Sequence, residues 1–357
     1  MAYKIIYIED LDPGSIIHDL EQNDFKVDYH NPSNFEETIK AIIGYDLILF
    51  DFRLTESKAL FDAPTIAQTL RTLNTKYHMD IPMILISSEP NISDYYKDLT
   101  SQDLFDLSLT KGILLKNVKK YSLRFKSFIK SYNTIESKKF NIQAILEIDE
   151  NRLKNLDYRI IEKLNDPIHS IDVFAFSSFI IKNLIQSFGV LFGEDVLSAR
   201  LGVSKESKDW EAFKELFDDF KYKGVFSDSY NRWWSDGLIN WWKLNNDGEN
   251  NLRQLNAKQR VSKLKLITKL DLVEQTKTKY AKSSSFWTIC KETSLPIDPI
   301  DGLELLKKDL LPWQETEYIS IQAGFEPQKF NAIGEPIYLK YLKPIEHKRL
   351  KLIGKNL

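Results

Sequence analysis

The chain has 357 residues, of which 43% are hydrophobic and 28% charged, with a formal net charge of −2. That length exceeds the roughly 250–300 residues at which a single core stops growing, so two or three domains are expected, and the composition excludes wholesale disorder. The small net charge supplies no global attraction to a polyanion or an anionic membrane, and the lone Cys290 excludes an internal disulfide framework and a multi-cysteine zinc site.

A reducing, cytoplasmic location is the expectation. The opening MAYKIIYIEDLDPG has acidic residues within ten positions and lacks the basic start and apolar stretch of a secretion signal. No apolar run reaches the roughly 18–20 residues that cross a bilayer. The best, Ile171 to Phe192, is broken by Asp172, Lys182, Asn183 and Gln186 and reads as buried helix, so no membrane partner is expected.

From Lys4 to about Tyr132, short apolar runs alternate with segments of helical period, the pattern of a doubly wound α/β sheet. Five strands are predicted: Lys4 to Glu9, Phe25 to Tyr29, Leu47 to Asp51, Met83 to Ser87 and Leu107 to Thr110. Between and after them, apolar residues three or four apart predict helices around Ile16 and Leu20, Phe35 and Ile39, Ile66 and Leu70, and Val118 through Ile129. Such helices cover both faces of a five-stranded parallel sheet.

Residues 1–132 are therefore read as the first domain and the polar stretch 133–141 as a linker. The remainder, 142–357, is read as a mostly helical α+β output or interaction region with room for two subdomains. Residues 1–130 carry 15 basic and 19 acidic side chains and the rest 34 and 32, so the first domain is acidic and the second mildly basic. Helices are predicted at Ile142 to Leu164, Phe174 to Phe192 and Asp209 to Lys221, with short elements after Pro296.

In an open parallel sheet, ligands collect at the carboxyl ends of the strands, where loops converge. The first predicted strand ends in Glu9 and Asp10, the third in Asp51, the fourth in Ser87 and Ser88, and the fifth runs into Lys111. Three crowded carboxylates raise one another's pKa unless a cation neutralises them, and hard oxygen ligands favour Mg2+. With that charge balanced, Asp51 can act as a carboxylate nucleophile toward a phosphoryl group while Lys111 and the metal offset charge on the transferred oxygens.

In type, order and spacing these residues resemble the receiver (CheY-like, flavodoxin-like) domains of bacterial response regulators, over residues 3 to 130. The resemblance implies that Asp51, within ILFDFRL, is the phospho-acceptor of a prokaryotic two-component phosphoprotein. It implies further that Asp10 is a direct metal ligand, Glu9 a direct or water-mediated one, and the Arg53 backbone carbonyl the completion of the Mg2+ site. Ser87 takes the place of the switch hydroxyl, with Ser88 as its competitor, and Lys111 that of the phosphate-binding lysine, with Lys116 lying too far beyond the strand. A histidine kinase or kinase-like ATPase is the implied partner, together with a protein partner on the receiver surface. Three features depart from the family pattern: Gly112 replaces the usual proline, Ser108 stands where an aromatic switch residue is common, and the segment RLTESKALFDAP after Asp51 is long.

The second region offers less. RWWSDGLINWW places Trp233, Trp234, Trp241 and Trp242 at spacings that read as core packing. A basic run contains Lys258, Arg260, Lys263, Lys265 and Lys269, and 197–213 has a helix-turn-helix look with Gly202 at the turn. Lys263, Lys265 and Lys269 are thus candidate nucleic-acid contacts against a reading as a solvated helix face. There is no HExxH or glycine-rich phosphate loop, His169 and His347 are isolated, and turn chemistry accounts for Asp298 and Asp301 in PIDPIDG. No catalytic residue is assigned. The leading expectation is an atypical response regulator. The alternatives are a pseudo-receiver interaction module in a prokaryotic conflict or defence system, and a DNA-binding transcription regulator.

Overall fold

Strand β1 (Tyr3–Ile8) alternates its side chains between two faces, and both faces are apolar. A strand of that kind must be covered on both sides, which places it inside a parallel sheet. The computed structural model describes residues 2–54, 61–77, 80–88, 104–246, 251–307, 309–330 and 334–355. It divides into two compact units, Met1–Phe179 with Gly224–Ser229, and Ile180–Lys223 with Tyr230–Leu357.

In the first unit β1 pairs in parallel with β2 (Phe25–His30) and with β3 (Leu47–Asp51). Beyond β3 lie β4 (Met83–Ser87) and the edge strand β5 (Leu107–Thr110), giving the order β2-β1-β3-β4-β5. Each of the five predicted strands is present to within one residue at either end. Ile6, Ile8, Ile48, Phe50, Met83 and Leu85 face one way, against Ile39 of helix α2 (Phe35–Ala41) and Ile66 and Leu70 of α3 (Ala63–Tyr77). Ile5, Tyr7, Leu47, Leu49, Ile84 and Ile86 face the other, against Ile16 and Leu20 of α1 (Ser15–Glu21) and Phe125 and Ile129 of the helix Val118–Ser137. The two-residue period of the strands has thus been split into two cores by helices of 3.6-residue period.

Two boundaries differ from expectation. The stretch read as a linker is largely helical, because Val118–Ser137 continues through it with Tyr132 and Ile135 buried. Polar neighbours conceal the apolar spacing of Phe128, Tyr132 and Ile135, which continues the same helix face. The turn comes only at Lys139 and Phe140, both at positive φ. The compact unit then extends to Phe179 rather than ending at 132.

The single helix expected over Ile142 to Leu164 is three, Ile142–Leu146, Glu150–Asn155 and Tyr158–Leu164. Asn141, Asp149 and Asp157 each accept a backbone N–H from the turn they precede, at 2.9, 2.7 and 3.0 Å, and so restart the helix every eight residues. Similarly, Val173–Ile180 gives way to a π-helical turn, Ile181–Ile185, where a longer helix was predicted.

Gly224–Ser229 completes the first unit. Phe226 packs edge-on against Phe128 at 5.4 Å, its amide donates to Ser131 Oγ at 2.8 Å, and its φ of 68° is unusual for a bulky residue.

At the opposite end of the sheet from the strand termini considered above, Asp106 accepts from Arg71 Nη2 at 2.9 Å, from the Met83 amide at 2.9 Å and from the Tyr132 hydroxyl. Arg71 also lies 3.7 Å from the centroid of Phe174. This buried group ties α3, β4 and β5 to the long helix and to the 142–179 extension. Breaking a buried pair by removing one partner costs about 3–5 kcal/mol. Asp106→Ala is expected to lower the urea midpoint of the first unit's unfolding by a corresponding amount, with Tyr132→Phe milder at about 1–3 kcal/mol; equal midpoints for wild type and Asp106→Ala would contradict this.

Among the described residues the second unit is mostly helical with three two-stranded sheets, pairing Leu191–Phe192 with Trp233–Trp234, Thr288–Ile289 with Pro296–Ile297, and Gly302–Glu304 with Tyr318–Ser320. Trp233 and Trp242 lie in its main core with Trp210, Phe213 and Phe217, and Trp241 packs against the edge, in agreement with core packing. Gly202 ends the helix Glu194–Leu201 at φ 72°, where an added Cβ would lie 2.8 Å from Ala257 Cα.

Arg260, a member of the basic run, is fully buried. It donates to the carbonyls of Leu252, Arg200 and Phe286 at 2.9, 2.9 and 2.6 Å, and burial pulls its pKa down to about 10. Those carbonyls come from three separate segments, so Arg260 is an internal brace. Arg260→Ala should destabilise the second unit by several kcal/mol, since each buried acceptor left unpaired costs about 1–3 kcal/mol; chemical denaturation followed by tryptophan fluorescence measures it.

Candidate functional site

The parallel register carries the acidic residues to one edge of the sheet. Glu9 extends β1 by donating its amide to the His30 carbonyl at 3.3 Å, and Asp51 closes β3 opposite Ile86. Ser87 closes β4 opposite Thr110, the last residue of β5. The Thr110 hydroxyl then accepts the Ile113 amide at 3.2 Å and starts the helix Lys111–Lys116, so Lys111 stands at a strand-to-helix junction.

Glu9, Asp10 and Asp51 are all buried, and each offers a carboxylate oxygen lying within 4.8 Å of the others. Lys111 Nζ reaches Glu9 Oε2 and lies 2.9 Å from Asp51 Oδ1. The Tyr7 hydroxyl donates to the same Glu9 oxygen at 2.8 Å, and the Leu11 amide to its other oxygen at 3.3 Å. Asp51 Oδ1 is in ion-pair contact with Lys111 but accepts no well-directed hydrogen bond. Ser87 is buried at its strand end, whereas Ser88 is exposed.

The electrostatics follow from burial. Desolvation pushes the Asp51 carboxyl above its usual range, and the Glu9 charge adds to this, while Lys111 and the Arg53 amide offset part of it. For Lys111, desolvation alone would lower the pKa, but hydrogen bonds and charge from Glu9 and Asp51 outweigh it and the ammonium is raised. Tyr7 is raised strongly by burial and by Glu9, which keeps it a neutral donor. Lys111 faces Glu9 and Asp51, and the Asp10 carboxylate stands beside them in the same partly desolvated pocket. An all-oxygen, hard donor set with a buried carboxylate oxygen lacking a directed donor fits a divalent cation such as Mg2+.

The sequence-predicted residues Glu9, Asp10, Asp51 and Lys111 come together, with Ser87 at the neighbouring strand end. Tyr7 was missed, although its place two residues before Glu9 on the same strand face is the signal that could have found it. Ser108 is exposed on the edge strand, and Gly112 has open space around it. Half of the long segment after Asp51, residues 55–60, lies outside the described residues.

The nucleic-acid candidates fare differently. Lys265 and Lys269 are exposed on the helix Ala257–Thr268 and its C-cap, and Lys263 is half-buried. Lys265 lies 3.9 Å from Asp271, and Arg260, in the middle of the run, is internal. The continuous basic stripe expected from the sequence is therefore interrupted. Asp298 caps the turn Pro299–Asp301, and Asp301 accepts the amides of Lys282 and Ser283 at 2.9 and 2.7 Å, as turn chemistry requires. Among the described residues, no helix is long and apolar enough to cross a membrane.

No protein-family model matches the chain, and no curated protein matches it. Among solved structures, the chain is similar to a CheY-like response regulator receiver domain from Methylobacillus flagellatus, at 19% identity over 34% of this chain and 96% of that one, with a TM-score of 0.28. It is also similar to the response regulator TrrA from Thermotoga maritima in complex with Mg2+ and beryllofluoride, at 23% identity over 34% of this chain and 98% of that one, TM-score 0.25. A third is the beryllofluoride-activated receiver domain of RstA from Klebsiella pneumoniae, at 22% identity over 33% and 97%, TM-score 0.26. These likenesses fall in the N-terminal third. The strand order β2-β1-β3-β4-β5 with helices on both faces is itself the flavodoxin-like, receiver arrangement.

Because the Asp51 pKa is raised above its unfolded value, ionisation of Asp51 costs folded-state stability as pH rises through the unfolded and then the folded pKa. In the presence of EDTA at neutral pH, Asp51→Asn is therefore expected to melt at or above the wild-type temperature. Added Mg2+ should raise the wild-type midpoint, by as much as about 2.7 kcal/mol at 100 times Kd, and leave the variant nearly unmoved. Identical Mg2+ responses of the two proteins in differential scanning calorimetry would remove Asp51 from the metal site.

Proposed function

We propose that the N-terminal unit is a phospho-acceptor receiver and that the protein acts as an atypical response regulator, phosphorylated on Asp51 by a histidine kinase or a kinase-like ATPase. The observation that carries this reading is the convergence of Glu9, Asp10, Asp51 and Lys111 on one sheet edge, with Lys111 in contact with both Glu9 and Asp51. A module used only as a binding surface would have no need to bury three carboxylates together around one ammonium.

In this reading Glu9, Asp10 and Asp51, with the Arg53 backbone carbonyl, hold Mg2+. When bound, the ion supplies positive charge to the phosphoryl oxygens during transfer. An Asp51 carboxylate oxygen forms the new bond to phosphorus while the phosphorus–nitrogen bond of the donor phosphohistidine breaks, and the released imidazole takes up a proton. Lys111 stays charged throughout, because its raised pKa keeps the proton, and it can shift from Asp51 toward a phosphoryl oxygen. Tyr7 holds Glu9 through a neutral hydrogen bond. Ser87, at the next strand end, is the hydroxyl placed to report the phosphoryl group.

The phosphorylated state then regulates the C-terminal region or a protein partner. The DNA-binding reading is not carried forward, since Arg260 is internal and Lys265 lies beside Asp271.

Incubation of the full chain with Mg2+ and acetyl phosphate is expected to add one phosphoryl group by intact-mass measurement, labile to hydroxylamine as an acyl phosphate is. Asp51→Asn should abolish the adduct, and Lys111→Ala should reduce it strongly while leaving Mg2+ binding in place. An unmodified wild-type mass, together with no beryllofluoride-induced fluorescence change, would sink the proposal.

A further inference from the structure

The C-terminal unit contains a cavity of about 280 Å3, lined in part by Arg253, Trp287, Thr288, Gln314, Glu315 and Tyr318. Its size falls just under the range of about 300–1,000 Å3 usual for ligand pockets, which suits a small metabolite rather than a large one.

Two arginines meet at this place and are treated differently. Arg200 is fully buried, with Nη2 at 2.8 Å from both oxygens of Glu315, Nη1 at 2.8 Å from Ser235 Oγ and Nε donating to the Trp287 carbonyl. Arg253 stands on the short turn Leu252–Gln254, which a reciprocal capping pair between Asn251 and Gln254 holds in place. Its guanidinium lies 5.0 Å over the ring of Trp287, and among the described residues no carboxylate lies within ion-pair range of it. Stacking uses the face of a guanidinium and leaves the N–H groups at its edge free, and that edge is the part that grips a carboxylate or phosphate in a two-pronged contact. Since Glu315 is matched by Arg200, the cavity is left with one positive charge. Arg200 registers the same excess: burial lowers its pKa, Glu315 opposes this, and the nearby Arg253 lowers it further.

A second observation is independent of charge. The Thr288 hydroxyl is buried and has no hydrogen-bond partner, a costly state for a polar atom that a ligand oxygen would relieve.

We propose that this cavity binds a small organic anion, a carboxylate or a phosphate monoester, with Arg253 as the anion-gripping residue and Thr288 as a second donor. The site belongs wholly to the C-terminal unit and does not depend on the reading of Asp51.

Matched probes separate charge from shape. Benzoate, phenyl phosphate and the neutral benzamide would be titrated calorimetrically into the full-length protein at low ionic strength. Saturable binding of benzoate or phenyl phosphate is expected, with benzamide weaker by about tenfold or more, and the preferred anion identifies whether the natural ligand carries a carboxylate or a phosphate. Arg253→Gln should weaken the anion by about tenfold or more without moving the thermal midpoint, because the side chain is exposed and no carboxylate depends on it. Thr288→Val, nearly isosteric, should weaken it by a smaller factor. No saturable binding of either anion at millimolar concentration overturns the proposal, and so does benzamide binding as tightly as benzoate or an affinity unchanged by Arg253→Gln.

Discussion

The contact between Lys111 and the pair Glu9 and Asp51 is the interaction on which the N-terminal unit's chemistry depends. Three carboxylates gathered at one sheet edge and withdrawn from water would repel and tend to protonate. The Lys111 ammonium, delivered from the far strand β5 across the end of β4, lies against Glu9 and Asp51 and offsets part of that repulsion. The oxygens of Glu9, Asp10 and Asp51 that remain close together form a hard donor set of the kind that suits a divalent cation. Placing Lys111 requires the strand to end at Thr110 and a helix to begin at once, which the Thr110 cap accomplishes. Gly112, with open space around it, imposes no side chain at that junction.

How much of this could be read in advance follows from the range of the forces involved. The five strands were legible because parallel strands buried on both faces must be continuous apolar runs, and ILFD or MILIS has few other places to go. The acidic set was legible because strand termini in such a sheet converge, so Glu9, Asp51, Ser87 and Lys111 announce a shared edge even though they are up to 102 residues apart. Tyr7 was hidden because a tyrosine within an apolar strand looks like core until its hydroxyl is given a partner. Asp106 and Tyr132 were hidden for the same reason in reverse: each looks like an ordinary polar or boundary residue until the fold brings Arg71 and Tyr132 together on Asp106.

Beyond residue 132 local signals and tertiary forces part company. The expected linker is helix because a buried stripe outweighs its polar neighbours. The helix expected over 142–164 is interrupted because Asn141, Asp149 and Asp157 cap new turns, a signal present in the sequence but overridden in the reading by apolar content. Arg260 shows the limit most sharply. Its neighbours in sequence are lysines in water, and nothing local distinguishes it from them. Only the closure of backbone carbonyls from three segments around its guanidinium, that of Arg200 lying 60 residues away, makes it internal.

Arg200, Arg253 and Arg260 then form a graded series within one unit. Arg260 is held by backbone carbonyls alone, through Nε and Nη1, and burial depresses its pKa. Arg200 adds a carboxylate, Glu315, and is held by hydrogen bonds to three residues. Arg253 has neither and rests on an indole face in contact with solvent. Cation–π contact at an exposed site is worth only about 0.5–1 kcal/mol, which orients a guanidinium without satisfying its edge. Arg200 and Arg260 are fully buried, whereas Arg253 is exposed above a cavity beside an unpartnered hydroxyl, with its edge open to a ligand. What the first two accomplish is stability, and the physical difference between them and Arg253 is the difference between a brace and a receptor.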